Sequence, residues 1–226
     1  MRKLGLIGGT SWHSTIDYYR RINQITNDRL GTKVNPELQL FSINIELMFS
    51  QDWDLIARKF IEAAKTLEKG GVDALVLCAN TTHRLYAEIS RNINLPFVHI
   101  ADAVGEEAQS NNLGKIGLIG TKPTMTEPFI SGYIRDKFGM NCIVPLEQSI
   151  PLIHDVVVDE LVQGRFTQEA RVNIISEMNK LKDRGAEAIV LGCTEFPELL
   201  RSVNYPLPLY DTLEMHCQKC VDYILA

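Results

Sequence analysis

The sequence lacks most of the features that would assign it quickly. No apolar run approaches the roughly 20 residues that a membrane helix needs. The longest, Ala74–Ala79, has six residues. There is no surplus of positive charge: 23 Lys and Arg stand against 28 Asp and Glu, a net charge of −5. That balance excludes the basic footprint of a nucleic-acid binder, and no block of like charge marks a tail. Cysteine is sparse and odd in number, with five dispersed along the chain, so a disulfide framework is not expected. The start, Met1-Arg2-Lys3-Leu4-Gly5-Leu6-Ile7, begins like a signal peptide. Gly8-Gly9-Thr10-Ser11-Trp12-His13 interrupts it before an apolar segment can form, so the expectation is a cytoplasmic chain, mature from Met1. Neither a dinucleotide glycine fingerprint nor a Gly-Lys-Ser/Thr phosphate loop occurs, and no lysine stands in a Schiff-base context. The expectation is therefore no cofactor, no nucleic acid and no membrane partner.

What is present is ordinary for a globular protein: 226 residues, 45% hydrophobic and 23% charged. This is enough for one large domain or two of about 100 residues, each able to bury a core. The chain also repeats itself. Leu4-Gly5-Leu6-Ile7-Gly8 returns as Ile116-Gly117-Leu118-Ile119-Gly120. Gly71-Val72-Asp73-Ala74-Leu75-Val76-Leu77 returns as Gly185-Ala186-Glu187-Ala188-Ile189-Val190-Leu191. Asn94-Leu95-Pro96-Phe97 returns as Asn204-Tyr205-Pro206-Leu207. Three segments in one order and at nearly one spacing imply two copies of a single unit.

Each copy alternates short apolar strands with helices, which predicts parallel sheets joined by right-handed crossovers. Helices are expected at Ser14–Leu30 and Glu127–Phe138. A third is expected with Trp53, Ile56, Phe60, Ala64 and Leu67 on one face, capped by Asp52 and stopped by Gly70-Gly71. Its counterpart in the second copy is read from Val172, Ile175 and Met178 and stopped by Gly185. The fold class is thus α/β, with two pseudo-symmetric domains, parallel sheets and an active-site cleft between them. Residues 1–100 form the first domain, completed by a C-terminal helix at 211–226, and residues 101–210 form the second.

In open α/β sheets, ligands bind beyond the carboxyl ends of the strands. Those ends carry Gly8-Gly9-Thr10-Ser11, Cys78-Ala79-Asn80-Thr81-Thr82-His83, Gly120-Thr121-Lys122 and Gly192-Cys193-Thr194-Glu195. Cys78 and Cys193 each follow the same strand of their own copy. Two thiols at equivalent positions of a pseudo-twofold pair would flank a bound small molecule. Inversion of a stereocentre needs such a pair, one group removing a proton and the other returning it to the opposite face. Both cysteines precede expected helix starts, which favours thiolates, and free N–H groups there can hold a carboxylate. Asn80, Thr81, Thr82 and Thr194 add donors. His83 either orients a donor, lowers the thiol pKa, or simply packs.

The remaining cysteines read as core. Leu213, Cys217, Cys220 and Ile224 fall on one helical stripe, and no second ligand pair stands at zinc-finger spacing, so no metal is expected. Cys142 is expected to be buried beside a strand. His99, His154 and His216 have no local partner.

The motifs Leu4-Gly5-Leu6-Ile7-Gly8-Gly9, Cys78-Ala79-Asn80-Thr81-Thr82-His83 and Gly192-Cys193-Thr194-Glu195 resemble the aspartate/glutamate racemase family along the whole chain. The resemblance implies cofactor-independent racemisation of an amino acid by a two-thiol mechanism, commonly in a homodimer. It implies Cys78 and Cys193 as the acid/base pair and Asn80, Thr81 and Thr194 as carboxylate binders. Gly9 and Thr10 would line the cleft, with Glu195 in support. Gly8-Gly9-Thr10 replaces the Asp-Ser-Gly turn of glutamate racemases and is closer to the aspartate branch. The basic residues that acid-specific members carry are missing at Ile43–Met48 and at Leu161–Gly164, although Arg165 follows. A buried side-chain carboxylate without a cation is costly, so substrates beyond aspartate and glutamate are expected. Related hydantoin racemases, decarboxylases with one catalytic thiol, and a non-catalytic amino-acid sensor are the alternatives.

Overall fold

A computed structural model describes all residues from 1 to 226. The elements of the first copy are β1 (Leu4–Gly8), α1 (Trp12–Leu30), β2 (Leu38–Ser42), α2 (Glu46–Phe49), α3 (Trp53–Lys69), β3 (Ala74–Leu77), α4 (Tyr86–Ser90) and β4 (Phe97–Val98). Helix α5 (Ile100–Ser110) leads into the second copy: β5 (Lys115–Gly120), α6 (Lys122–Thr126), α7 (Pro128–Phe138), β6 (Asn141–Ile143), α8 (Ile150–Asp155), α9 (Gln168–Asp183), β7 (Ala188–Gly192), α10 (Phe196–Leu199) and β8 (Leu209–Asp211). Helix α11 (Thr212–Leu225) closes the chain. Two compact units result, Met1–Ile100 with Leu213–Ala226, and Ala101–Thr212. No helix is long and apolar enough to cross a membrane.

Each unit holds a four-stranded, wholly parallel sheet, ordered β2-β1-β3-β4 in the first and β6-β5-β7-β8 in the second. The α/β class with two matching sheets is as the repeat implied. Every residue of β1, β3 and β7 is buried, as expected for strands covered on both faces. Successive side chains point to opposite faces. In the first unit Leu75 and Leu77 join a layer with Phe60, Ala64 and Leu67 of α3. Ala74, Val76 and Cys78 join the other, with Tyr18 and Ile22 of α1 and Cys217, Cys220 and Ile224 of α11.

The expected caps hold for α3: the Asp52 carboxylate accepts from the Leu55 N–H at 3.0 Å, and Gly71 leaves the helix with φ +73°. The stripe expected on α9 is corrected. Its buried face is Ala170, Ile174, Met178 and Leu181, while Val172 is exposed. Ala170 and Leu181 complete an i, i+4, i+8, i+11 face that the choice of Val172 had shifted round the helix.

Candidate active site

The turn after β1 is built around Gly9. Its φ is +90°, and a Cβ there would lie 2.0 Å from the Ile43 carbonyl oxygen. Only glycine lets the chain pass this close to the end of β2. The Gly9 N–H donates to Thr15 Oγ1 at 2.9 Å, and the Thr15 hydroxyl donates to the Ser11 carbonyl at 2.9 Å. Ser11 caps α1 by accepting from the Ser14 N–H at 3.3 Å. Thr10 stands half-buried between them.

Beyond β3 the chain enters a 3₁₀ turn, Thr81–Leu85. Asn80 and Thr82 are buried and Thr81 is half-buried. The Thr82 hydroxyl donates to the Ala79 carbonyl at 2.8 Å. His83 is buried and held at both nitrogens: Nδ1 donates to the Ala79 carbonyl at 2.9 Å, and Nε2 accepts from the Ile100 N–H at 3.2 Å. That pairing fixes the neutral tautomer, and burial with the neighbouring His216 takes the imidazole pKa down to about 3. His83 therefore carries no charge with which to stabilise a thiolate, which removes that expected role and leaves a packing and turn-fixing one.

A linkage consequence follows for stability. The unfolded imidazole gains its proton near pH 6.5 and the folded one only near 3. Between those values the unfolded state binds one more proton, so stability falls as pH drops through that window, by up to about 1.4 kcal/mol per pH unit. His83→Gln should flatten the acid side of a melting-temperature profile taken from pH 7 to pH 4. An unchanged slope would show that His83 is not the group responsible.

At the end of β7, Cys193 is half-buried. Its thiol donates to Glu195 Oε2 at 2.9 Å, and the Thr194 hydroxyl donates to the same oxygen at 2.8 Å. Burial first, then the Glu195 carboxylate, push the thiol well above its ordinary range, while the backbone N–H groups of Thr194 and Glu195 oppose the shift. The resting group is thus a thiol held by a carboxylate, not the ready thiolate expected from a helix start. The following α10 is a single turn of four residues. Glu195→Gln removes the adjacent negative charge. The pH at which Cys193 becomes reactive toward iodoacetamide should then fall, read as peptide labelling rate against pH. A midpoint that stays or rises would count against Glu195 as the raising charge.

The expected equivalence of Cys78 and Cys193 is not what the strands give. In the first sheet Ile7 pairs with Leu77. In the second, Ile119 pairs with Leu191 and Gly120 with Gly192. Matching Leu4–Gly8 to Ile116–Gly120 therefore sets Leu77 on Leu191, Cys78 on Gly192 and Ala79 on Cys193. The glycines of the paired strands agree. A Cβ on Gly5 would meet Leu75 at 3.0 Å and Leu67 at 3.2 Å, and one on Gly117 would meet Ile189 at 3.0 Å and Leu181 at 3.2 Å. Exposure agrees as well: Cys78 and Gly192 are buried, Ala79 and Cys193 half-buried. Cys78 continues the Ala74, Val76 face into the α1 and α11 layer. Cys193 continues the Ile189, Leu191 face and packs at the edge of that core. Burial alone drives the Cys78 thiol above its ordinary range. Cys78 is thus a core side chain, one residue out of step with Cys193.

Arg165 is exposed and its guanidinium binds the Asp159 carbonyl, in the turn that Gly164 closes with φ +72°. It is bound within its own turn, and the segment after β2, Ile43–Phe49, also brings no base to that strand end. Cys217 and Cys220 are fully buried, as expected, and Cys142 is half-buried on β6, with burial lifting its thiol to about 12. No group of three or more His, Cys, Asp or Glu side chains is placed to hold a metal ion. The histidines without a local partner find distant ones. His216 accepts from the Tyr18 hydroxyl at 2.8 Å and donates to the Val98 carbonyl at 2.8 Å, His99 stacks edge-on to His83 at 4.6 Å, and His154 Nδ1 accepts from the Lys122 N–H at 3.3 Å. Residues this far apart in sequence leave no local signal of such pairing.

Two parallel four-stranded units with a Gly-Gly-Thr turn, an Asn-Thr-Thr turn and a Cys-Thr-Glu turn at their strand ends define an α/β racemase-like architecture. The family model described as Asp/Glu/Hydantoin racemase matches residues 7–220, and the chain belongs to that family. A Yersinia pestis structure assigned provisionally to the Asp/Glu racemases is 33% identical, with a TM-score of 0.94 and 100% of each chain covered. An aspartate racemase homologue of Pyrococcus horikoshii OT3 is 30% identical, with a TM-score of 0.87 and 100% of each chain covered. The broad specificity amino-acid racemase RacX of Bacillus subtilis is 22% identical over 99% of this chain and 98% of its own length. Against glutamate racemases such as that of Actinobacillus pleuropneumoniae, the match spans only 53% of the relative's length, at 27% identity over 64% of this chain.

Proposed function

We propose that this protein is a cofactor-independent racemase of free amino acids, in which Cys193 transfers the α-proton. The observation that carries the reading is the half-buried Cys193 thiol at a strand end, hydrogen-bonded at 2.9 Å to Glu195. A thiol exchanges a proton with an activated carbon without a metal or a Schiff base, and the carboxylate beside it receives and returns that proton. Asn80 and Thr81 offer donors for the substrate carboxylate, beside the half-buried Thr10, whereas the hydroxyl protons of Thr82 and Thr194 are committed to the Ala79 carbonyl and to Glu195. The lack of a base after β2 and the kinship to a broad-specificity racemase both favour neutral amino acids among the substrates. Trp12, Ile16 and Tyr19 form an exposed apolar stripe on α1, 58%, 50% and 54% accessible. Pairing of two copies in a cytoplasmic homodimer would cover such a stripe, and light scattering coupled to size exclusion tests it.

The test of function is incubation with each L-amino acid in D2O, with chiral separation and mass detection. Deuterium at the α-carbon and the D-enantiomer should appear for at least one neutral amino acid. No exchange with any amino acid would overturn the reading. Decarboxylation is the second reading, because the decarboxylases of this superfamily keep one catalytic thiol and, of the two thiols just past strand ends, Cys78 is buried in a core layer and only Cys193 is half-buried. Release of CO2 from a disubstituted malonate, with no α-exchange on amino acids, would decide for it.

A further inference from the structure

We infer that Ala79 is the position that sets the stereochemical course of this enzyme: a thiol serves one face of the α-carbon and water the other. This rests on the racemase reading and deepens it. The register sets Ala79 on Cys193, and Cys78 on Gly192. Ala79 is half-buried like its counterpart, yet its methyl group transfers no proton. Cys78 faces the α1 and α11 layer, on the opposite side of the strand from Leu75 and Leu77. A one-residue step along a strand reverses the face of the side chain, so Cys78 does not substitute for a thiol at 79. The second copy also shows that its Cys78 equivalent carries no side chain: a Cβ on Gly192 would lie 2.8 Å from the Ile119 carbonyl oxygen.

Glu195 first takes the thiol proton across its hydrogen bond to Cys193; the resulting Cys193 thiolate takes the α-proton, so the C–H bond breaks, an S–H bond forms and the electron pair passes into the substrate carboxylate. On the other face a water molecule gives a proton to the carbon and leaves hydroxide. The hydroxide is neutralised by the Cys193 thiol, directly or through Glu195, which restores the thiolate. One hand of substrate therefore presents its α-proton to Cys193 and loses it readily, and most returns are to the same face. The other hand loses its proton slowly to water or hydroxide, and each loss ends in inversion by Cys193.

The experiment follows both hands of alanine, methionine, aspartate and lysine in D2O, measuring exchange and inversion separately for the wild type, Ala79→Cys and Cys78→Ala. For a turned-over amino acid, one hand of the wild type should exchange at least ~10-fold faster than it inverts, since a positioned proton donor contributes ~10²–10⁴-fold. The other hand should invert on essentially every exchange. Ala79→Cys should raise inversion of both hands by ~10-fold or more and draw the two ratios together. Cys78→Ala should leave both ratios unchanged. Equal ratios in the wild type, or loss of inversion in Cys78→Ala, would overturn the inference and restore a two-thiol pair.

A labelling arm needs no substrate. Methanethiosulfonate should modify Cys193 faster than Cys78 in the folded protein, and the thiol introduced at 79 should react at a rate nearer that of Cys193. Cys78 labelling as fast as Cys193 would overturn the assignment by itself. Correct labelling with no α-exchange on any amino acid would instead remove the racemase reading, so the two failures are told apart.

Discussion

Cys193→Ala is expected to reduce α-proton exchange and inversion together by ~10²–10⁴-fold, the contribution of one positioned acid/base group. The side chain is half-buried at the edge of its core, so its loss leaves little void and the fold should persist. Glu195 keeps the hydrogen bond from Thr194 at 2.8 Å, so no buried carboxylate is left without a partner. Cys193→Ser separates the two roles of the residue: the hydroxyl retains a donor for Glu195 but ionises far less readily than a thiol. It should be as inactive as the alanine variant. Cys78→Ala should behave in the opposite way, with stability lowered by about 1–2 kcal/mol through the void left in a closed layer, and exchange intact. Deuterium incorporation at the α-carbon, with thermal melting alongside, reads all three. A Cys193→Ala enzyme that exchanged near the wild-type rate would end the thiol mechanism.

Gly9→Ala should have the largest effect on the fold. The new Cβ would sit 2.0 Å from the Ile43 carbonyl oxygen and 2.5 Å from the Ile43 nitrogen, both backbone atoms with no rotamer to escape into. Its φ of +90° adds a conformation that L residues rarely adopt. Relief requires moving the turn away from β2, which breaks the Gly9 N–H bond to Thr15 and displaces the start of α1. A loss of roughly 3–5 kcal/mol is expected, which for a chain of this size lowers the melting temperature by about 10 °C or more. Gly31→Ala is the matched control: its φ is +100° but a Cβ there meets nothing within 4 Å. Equal losses in the two variants would assign the effect to φ alone and not to the close approach.

The sheets, their order of elements and the family were legible because apolar strands ending in glycine repeat with their flanking motifs intact. The capping of α3 was legible for a similar reason: Asp52 and Gly70-Gly71 act on their own neighbours. The equivalent placing of Cys78 and Cys193 in the two copies fails for a reason of scale. Cys78 and Cys193 stand one residue further apart than the strands they follow. Similarity of motif tolerates that step, but a strand does not, because its faces alternate at every residue. The α9 stripe failed in the same way: Val172 attracted the reading by its hydrophobicity, whereas the buried Ala170 is too small to announce itself. The histidine contacts were out of reach, since Tyr18 and His216 meet only after the chain has closed on itself. The height of the Cys193 pKa was equally hidden, because it depends on burial and on how Glu195 turns back toward the sulfur.

The closure of the first unit by α11 has a consequence for synthesis. Leu4, Leu6, Tyr18 and Ile22 share a layer with Cys217, Cys220, Val221 and Ile224, and the Arg2 N–H reaches the Ile224 carbonyl at 2.9 Å. The half of the chain made first therefore leaves the ribosome with one face of its sheet covered by α1 alone and waits for α11 to complete that layer. The half made second is contiguous from Ala101 to Thr212 and needs nothing that follows it. Order of emergence and order of completion are thus reversed, and a nascent chain arrested before α11 would offer its incomplete apolar layer to chaperones in the first half, not the second.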